Sequence, residues 1–251
     1  MLSEKRYELI VQELNKSEIV SLQSLVKSVG VSESTIRRDL SQLQQQGVLK
    51  RVHGGAMLTK PKRPELSMFD KKTLNTDEKT EIGKLAAEQI QDGDFIFIDA
   101  GTTTYEMISC INAKDVVVVT NGVTHVEALT QKGIKTFLLG GEVKHTTLAT
   151  IGDRAVDTLR KYRFSKVFLG MNGFDYDNGF TTPDDKEALI KSTAIELGFQ
   201  HYILVDHSKY NDVHFAHVNL KSNSYVITSK KAQKLPNFSH YNQKYKFVGV
   251  E

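Results

Sequence analysis

The sequence predicts an α/β protein: an N-terminal winged helix-turn-helix followed by a larger C-terminal α/β domain. Three observations predict it. The first fifty or so residues carry three short apolar stripes at helical spacing and then a hairpin. From Phe95 onward, short all-apolar strands alternate with helices. Between them, Lys60-Pro61-Lys62-Arg63-Pro64 places two prolines and three cations in a stretch without periodicity, the composition of a tether. The expected boundaries are 1–57 for the head, 58–75 for a linker and 76–251 for the α/β domain.

Within the head, Tyr7, Ile10, Val11 and Leu14 recur at i, i+3, i+4, i+7 and predict a first helix. Leu22, Leu25, Val26 and Val29 repeat the pattern behind Ser21, a suitable N-cap. Gly30 breaks that helix, Ser32 caps the next, and Ile36, Leu40 and Leu43 form its stripe up to Gly47. Val48–Val52 reads as a short strand and His53-Gly54-Gly55-Ala56 as a turn.

The C-terminal part opens with a helix over Asp77–Gln91 and a buried strand at Phe95–Asp99. Further strands are predicted at Val116–Asn121, Lys135–Leu139, Lys166–Leu169, Tyr202–Asp206 and Tyr225–Thr228. Strands apolar at every position have no solvent-facing side, so they predict a mostly parallel sheet covered on both faces.

Composition narrows the function classes. Of 251 residues, 39% are apolar and 25% charged, as in soluble globular proteins. No apolar run can span a bilayer, and the charged opening Met1–Glu8 has no hydrophobic signal core, so no membrane partner and a cytoplasmic location are expected. A single cysteine, Cys110, excludes an intramolecular disulfide and a thiolate metal cage. Charge is uneven: residues 1–63 hold eleven Lys/Arg against six Asp/Glu, whereas the remainder holds 22 against 24. A basic head on a near-neutral body suits a polyanionic partner.

Segment 22–45 has the shape of a helix-turn-helix whose third helix can enter the major groove of double-stranded DNA. Ser34, Thr35, Arg37 and Arg38 lie near its start on the polar face and are the candidates for base readout, Arg because it can bond bidentately to guanine. Lys50, Arg51 and His53 fall on the wing, where cations meet phosphates or the minor groove. A three-helix scaffold with a solvated arginine pair fits the same pattern.

Asp99-Ala100-Gly101-Thr102-Thr103-Thr104 ends a strand and opens a helix. Ligands of open α/β sheets bind at such strand ends, and a helix N-terminus attracts anions. Gly101 allows close approach, Thr102, Thr103 and Thr104 add donors, and Asp99 suits a sugar hydroxyl, so the chemistry fits a phosphorylated sugar. The loop also fits a plain helix cap, and it is neither a dinucleotide fingerprint nor a P-loop. Asn121, Gly141 and Asn172 stand at other predicted strand ends that converge in a parallel sheet. Glu187 and Lys191, spaced i, i+4, and Lys209 complete the candidate effector set; the first two also fit a surface ion pair. His214 and His217 lack further metal ligands, and His207-Ser208 beside Asp206 is no argument for a triad. No cofactor, metal or catalytic set is expected.

Arg6, Ile10, Leu14, the run Ser32-Glu33-Ser34-Thr35-Ile36-Arg37-Arg38-Asp39-Leu40 and Lys50-Arg51-Val52-His53-Gly54-Gly55-Ala56 resemble the head and wing of the DeoR family of bacterial regulators. The resemblance covers about residues 3–230. It implies an operator-binding transcriptional repressor, a homo-oligomer (dimer or tetramer), and a sensor domain similar in fold to ribose-5-phosphate isomerase. Asp39 is expected to orient an arginine or a backbone group rather than touch DNA. The isomerases' phosphate loop falls on Gly101–Thr104 and their catalytic glutamate on Glu187, but the neighbouring acids are replaced by Gly170-Met171-Asn172-Gly173. That loss implies a sensing site rather than an enzyme; an isomerase with an appended head is the alternative. Within the family the chain is most similar to fructose operon repressors, which respond to fructose 1-phosphate. Lactose and tagatose pathway repressors share most of the pattern.

Overall fold

The computed structural model describes residues 3–16, 20–45, 48–52, 54–58 and 65–249. The chain divides into two compact units, Met1–Pro64 and Glu65–Glu251.

The N-terminal unit comprises α1 (Ser3–Lys16), β1 (Val20–Ser21), α2 (Leu22–Val29), α3 (Glu33–Gln45), β2 (Leu49–Val52) and β3 (Gly55–Leu58). The Ser21 hydroxyl accepts the Ser24 N–H at 3.1 Å and starts α2. Gly30 ends it in the left-handed region at φ 73°, donating to Val26 O. Ile10, Leu14, Leu25, Ile36, Leu40, Leu43 and Leu49 close one core, so the three predicted stripes face each other. The three strands form an antiparallel sheet in the order β1-β3-β2. A Cβ on Gly55 would sit 2.3 Å from Val20 O; only glycine lets β1 lie against β3 in this register.

The C-terminal unit begins with α4 (Met68–Lys72) and α5 (Thr76–Ala87). Then come β4 (Phe95–Ile98), α6 (Thr102–Cys110), β5 (Val117–Thr120), α7 (Val123–Gln131) and β6 (Lys135–Leu138). The hairpin β7 (Glu142–Lys144) and β8 (Ala149–Ile151) follows, then α8 (Asp153–Leu159), β9 (Phe164–Gly170), β10 (Gly173–Asp175) and β11 (Gly179–Thr182). Last are α9 (Asp185–Leu197), β12 (Gly198–Leu204), β13 (Ala216–Val218), β14 (Ser224–Ile227), α10 (Lys230–Gln233) and α11 (Phe238–Lys244).

Six strands form a parallel sheet in the order β14-β12-β9-β4-β5-β6. The period-2 signal is hidden in all-apolar runs but real. Phe97, Val119, Val167, Leu169 and Ile203 point to one core, with α8, α9, α10 and α11. Ile96, Ile98, Val118, Phe168, Tyr202 and Leu204 point to the other, with α5, α6 and α7. From β4 the chain winds outward through β5 and β6, then returns to lay β9 on the opposite side of β4. The switch point of this sheet therefore lies between the ends of β4 and β9, where Asp99 and Gly170 stand. A small antiparallel sheet, β10-β11-β13, and the β7–β8 hairpin border that end.

The expected linker over 58–75 needs correction. Residues 59–64, with the Lys/Pro run, lie outside the described residues, but Glu65 onward belongs to the C-terminal unit. Ser67 and Asp70 form a reciprocal capping box at the start of α4, and the Met68 N–H donates to Thr146 O at 2.7 Å. Two cations and no long apolar stripe hid a helix of five residues. No helix among the described residues is long and apolar enough to cross a membrane.

Candidate functional site

In the head, α3 presents Ser34, Arg37 and Arg38 to solvent, with Thr35 half-exposed. The Ser32 hydroxyl lies 3.0 Å from Ser34 Oγ and 2.8 Å from Thr35 Oγ1 and accepts the Thr35 N–H, capping the helix. Arg37 donates through Nε and Nη2 to Glu33 Oε1 at 2.9 and 2.7 Å, an exposed pair on the same face. Behind this face the Arg6 guanidinium grips buried Asp39 through two bonds of 2.7 and 2.9 Å, tying α1 to α3. Asp39 thus orients an arginine from inside the head, as its position after the Arg pair suggested. On the wing, Lys50 and Arg51 are exposed, and Arg51 reaches Ser41 Oγ at 2.9 Å. His53 lies outside the described residues. The result is a row of cations and hydroxyls along one helix and the adjoining strand, chemistry suited to phosphates and base edges.

At the switch point, Asp99 follows β4 and is almost fully buried, as is Lys191 of α9. Lys191 Nζ donates to Asp99 Oδ2 and, at 2.9 Å, to Gly170 O. The Gly170 N–H donates to the same carboxylate oxygen at 3.2 Å. Burial pushes the Asp99 carboxyl up, against the pull of the Lys191 ammonium. Gly101 is the extended N-cap of α6, whose first-turn N–H groups face the crevice end of the sheet. Thr104 turns inward instead: its hydroxyl donates to Asp99 O at 2.6 Å and lies 3.2 Å from His125 Nε2. Burial depresses the His125 imidazole to about 4, so it is neutral at pH 7. Asn121 is likewise engaged at both ends, accepting the Ala100 N–H at 2.8 Å and donating to Thr150 O. Thr104 and Asn121 therefore shape the loop, while Thr102 and Thr103 lie at its edge, each less than a tenth exposed.

Glu187 and Lys191 do not pair with each other, although both are buried on α9. Glu187 accepts from Thr147 Oγ1 at 2.7 Å and Thr182 Oγ1 at 3.4 Å, and Lys144 Nζ lies 3.3 Å away. Asn172 joins this group through Thr182, whose hydroxyl donates to Asn172 Oδ1 at 3.0 Å. Gly141 has a packing reason of its own: at φ 149°, a Cβ there would sit 2.7 Å from Ile151 O. Lys209 ends a 3₁₀ turn and is half-exposed.

Sequence reasoning missed several neighbours. Lys79 of α5 is buried and donates to Lys71 O; burial lowers its ammonium, which also feels Asp206, Lys209 and Lys71. Lys71 of α4 is lowered by burial too, and feels Glu65, Glu187 and Lys209. Asp206 Oδ1 accepts from Asn75, Ser208 N and Ser208 Oγ, whereas its Oδ2 is buried with no partner among the described residues. Lys79 thus brings cationic charge toward a carboxylate with an unsatisfied oxygen, and Lys71 and Lys209 stand close enough to Lys79 to feel it. A buried polar atom of this kind calls for a donor, such as a ligand hydroxyl. Lys209 was already a candidate from the sequence; Lys71 was not, because it falls in the segment expected as linker, and Lys79 sits in a helix with no motif to mark it. His214 donates its N–H to Thr181 Oγ1 and is half-buried; His217 is exposed on β13. Among the described residues, no three His, Cys, Asp or Glu side chains are placed to hold a metal ion.

Comparison with known proteins agrees with this division. Residues 6–62 match the DeoR-like helix-turn-helix domain and residues 74–230 the DeoR C terminal sensor domain. The chain is 44% identical over 245 residues to the uncharacterized HTH-type transcriptional regulator FruR of Bacillus subtilis, covering 97% of each chain. It is 34% identical over 216 residues to the lactose phosphotransferase system repressor of Lactococcus lactis, covering 84% of each. Among solved structures it is similar to ribose 5-phosphate isomerase A of Methanocaldococcus jannaschii, at 16% identity and a TM-score of 0.41, over 54% of this chain and 55% of that one. With both domain matches in order along its length, the chain belongs to the DeoR family of helix-turn-helix transcriptional regulators.

Proposed function

We propose that this protein represses a sugar-utilisation operon, that of a fructose phosphotransferase system, and that a phosphorylated sugar such as fructose 1-phosphate controls it. One observation carries the reading: Asp206 Oδ2 is buried without a partner among the described residues, and the Lys79 ammonium feels Asp206 together with Lys71 and Lys209. Cations beside a hydroxyl acceptor suit a molecule with a phosphate at one end and hydroxyls at the other. The α6 N-terminus, with Gly101, Thr102 and Thr103, adds N–H and hydroxyl donors. The FruR relative supports the fructose assignment through its name and its 44% identity. Sensing is favoured over turnover because Glu187, the base an isomerase would need, is already engaged by Thr147, Thr182 and Lys144, and its neighbour Asn172 is no acid.

The head supplies the other site. Ser34, Thr35, Arg37 and Arg38 read bases in the major groove of operator DNA, while Lys50 and Arg51 hold phosphates. A single head covers a short half-site, so the working form is a homo-oligomer, a dimer or tetramer. Effector binding lowers operator affinity through a coupling free energy of about 1–3 kcal/mol. Titration of operator DNA with and without fructose 1-phosphate, fructose 6-phosphate, tagatose 6-phosphate and inorganic phosphate tests this. Release by fructose 1-phosphate at the lowest concentration is the expected result; operator affinity indifferent to all four overturns it. Sedimentation of a stable monomer, free and on DNA, overturns the oligomer.

A further inference from the structure

Resting on the reading that an anionic sugar enters this crevice, we propose that Glu65 is the latch through which ligand binding reaches the segment leading from the head. Glu65 is the first described residue after 59–64, and its carboxylate is held on both oxygens: Lys144 Nζ at 2.7 Å from Oε2 and Lys71 Nζ at 3.3 Å from Oε1. Neither cation is Glu65's alone. Lys144 also lies 3.0 Å from Asp184 Oδ2 and 3.3 Å from Glu187 Oε1, while Lys71 feels Glu187 and Lys209. Glu65, Asp184 and Glu187 thus share two ammonium groups in a mostly buried network.

This network reaches the other candidate effector residues. Glu187 is bonded to Thr182, which bonds Asn172, and the Lys71 carbonyl accepts from Lys79. Three carboxylates share these two ammonium groups, so Glu65 needs Lys71 as well as Lys144. A phosphate among Lys71, Lys79 and Lys209 competes for that ammonium and brings negative charge close to Glu65 and Glu187. Both effects weaken the hold on Glu65. The Met68–Thr146 bond and the Ser67–Asp70 capping box are the next attachments along this segment, so release of Glu65 loosens residues 65–72 from their N-terminal side.

The test uses the full-length protein, with hydrogen exchange of segment 65–72, calorimetric binding of fructose 1-phosphate, and operator titration. In the wild type, ligand should raise exchange across 65–72. Glu65→Gln should bind fructose 1-phosphate within about twofold of wild type, show the raised exchange without ligand, and lose about tenfold of the ligand-dependent change in operator affinity. Glu65→Asp, which keeps the charge, should restore most of that change. Wild-type binding that leaves exchange over 65–72 unchanged, or a Glu65→Gln variant with full ligand response, overturns the latch alone. Failure of the wild type to bind fructose 1-phosphate or inorganic phosphate overturns the functional reading, and the latch with it.

Discussion

Lys191 closes over Asp99 from a helix ninety-two residues further along the chain, and the two charges share the end of β4 with the Gly170 peptide. Both side chains are almost fully buried, so removing one leaves the other uncompensated. Lys191→Met should therefore destabilise the sensor unit by about 3–5 kcal/mol in urea unfolding at pH 7. The double variant Lys191→Met/Asp99→Leu should recover most of the loss, because no stranded charge remains. With its lysine gone, Asp99 favours the protonated form, so the single variant's deficit should shrink as pH falls toward 4. A deficit independent of pH, or a double variant no better than the single, would show that packing and not charge sets the cost.

The buried His125 makes a second, opposite pH signature. Its folded-state pKa, about 4, lies below the ordinary imidazole value of 6.5, so the unfolded chain binds the extra proton between those limits. Its contribution is complete above pH 6.5 and is lost as pH falls toward 4. Up to about 3 kcal/mol of stability should disappear across that window. Urea midpoints measured from pH 7.5 to 4 check this, with His125→Asn expected to flatten the slope. An unchanged slope in that variant would assign the acid limb to other groups.

How far these features could be read beforehand depends on their range in the chain. The stripes Ile10/Leu14, Leu22/Leu25/Val29 and Ile36/Leu40/Leu43 define helices by local spacing, and the structure packs all three together. The parallel strands are legible because Phe95–Ile98 and Val117–Thr120 are too short and too apolar for anything but a doubly covered sheet. Asp99 and Gly101 follow from that, since a strand-to-helix loop has one possible side. Strands of three residues such as β10 and β13 carry no period of their own and exist through distant pairing. Glu187 and Lys191 illustrate the limit: spacing suggested mutual pairing, yet each finds a better partner across the fold. One missed signal was local, because Ser67-Met68-Phe69-Asp70 has capping-box spacing and could have marked α4.

Arg37 bears on specificity rather than stability. Its pair with Glu33 is exposed on both sides and is worth only a few tenths of a kcal/mol, so Glu33→Ala should leave the head's melting temperature nearly unchanged. Arg37→Ala should weaken operator binding by about 1–3 kcal/mol while changing binding to random duplex far less. Fluorescence anisotropy with operator and scrambled duplexes at matched salt separates the two outcomes. Equal loss on both would make Arg37 a phosphate contact and leave Arg38 as the base reader.

Lys79 offers the cleanest separation of sensing from DNA binding. It lies in the C-terminal unit, buried on α5, with its ammonium bonded to the Lys71 carbonyl and Asp206 among the groups it feels. Lys79→Met keeps the length and apolar stem while removing the charge that a phosphate would seek. The apo protein should change little in stability, because burial already disfavours this ammonium. Affinity for fructose 1-phosphate should fall by about 2 kcal/mol, read as loss of the ligand-induced rise in melting temperature, with operator affinity unaltered. Thr103→Val, at the edge of the α6 loop, should reduce the same rise by a smaller amount, since a neutral donor is worth about half a charged one. If both variants keep the full ligand-induced rise, the anion binds elsewhere than between α5 and the N-terminus of α6.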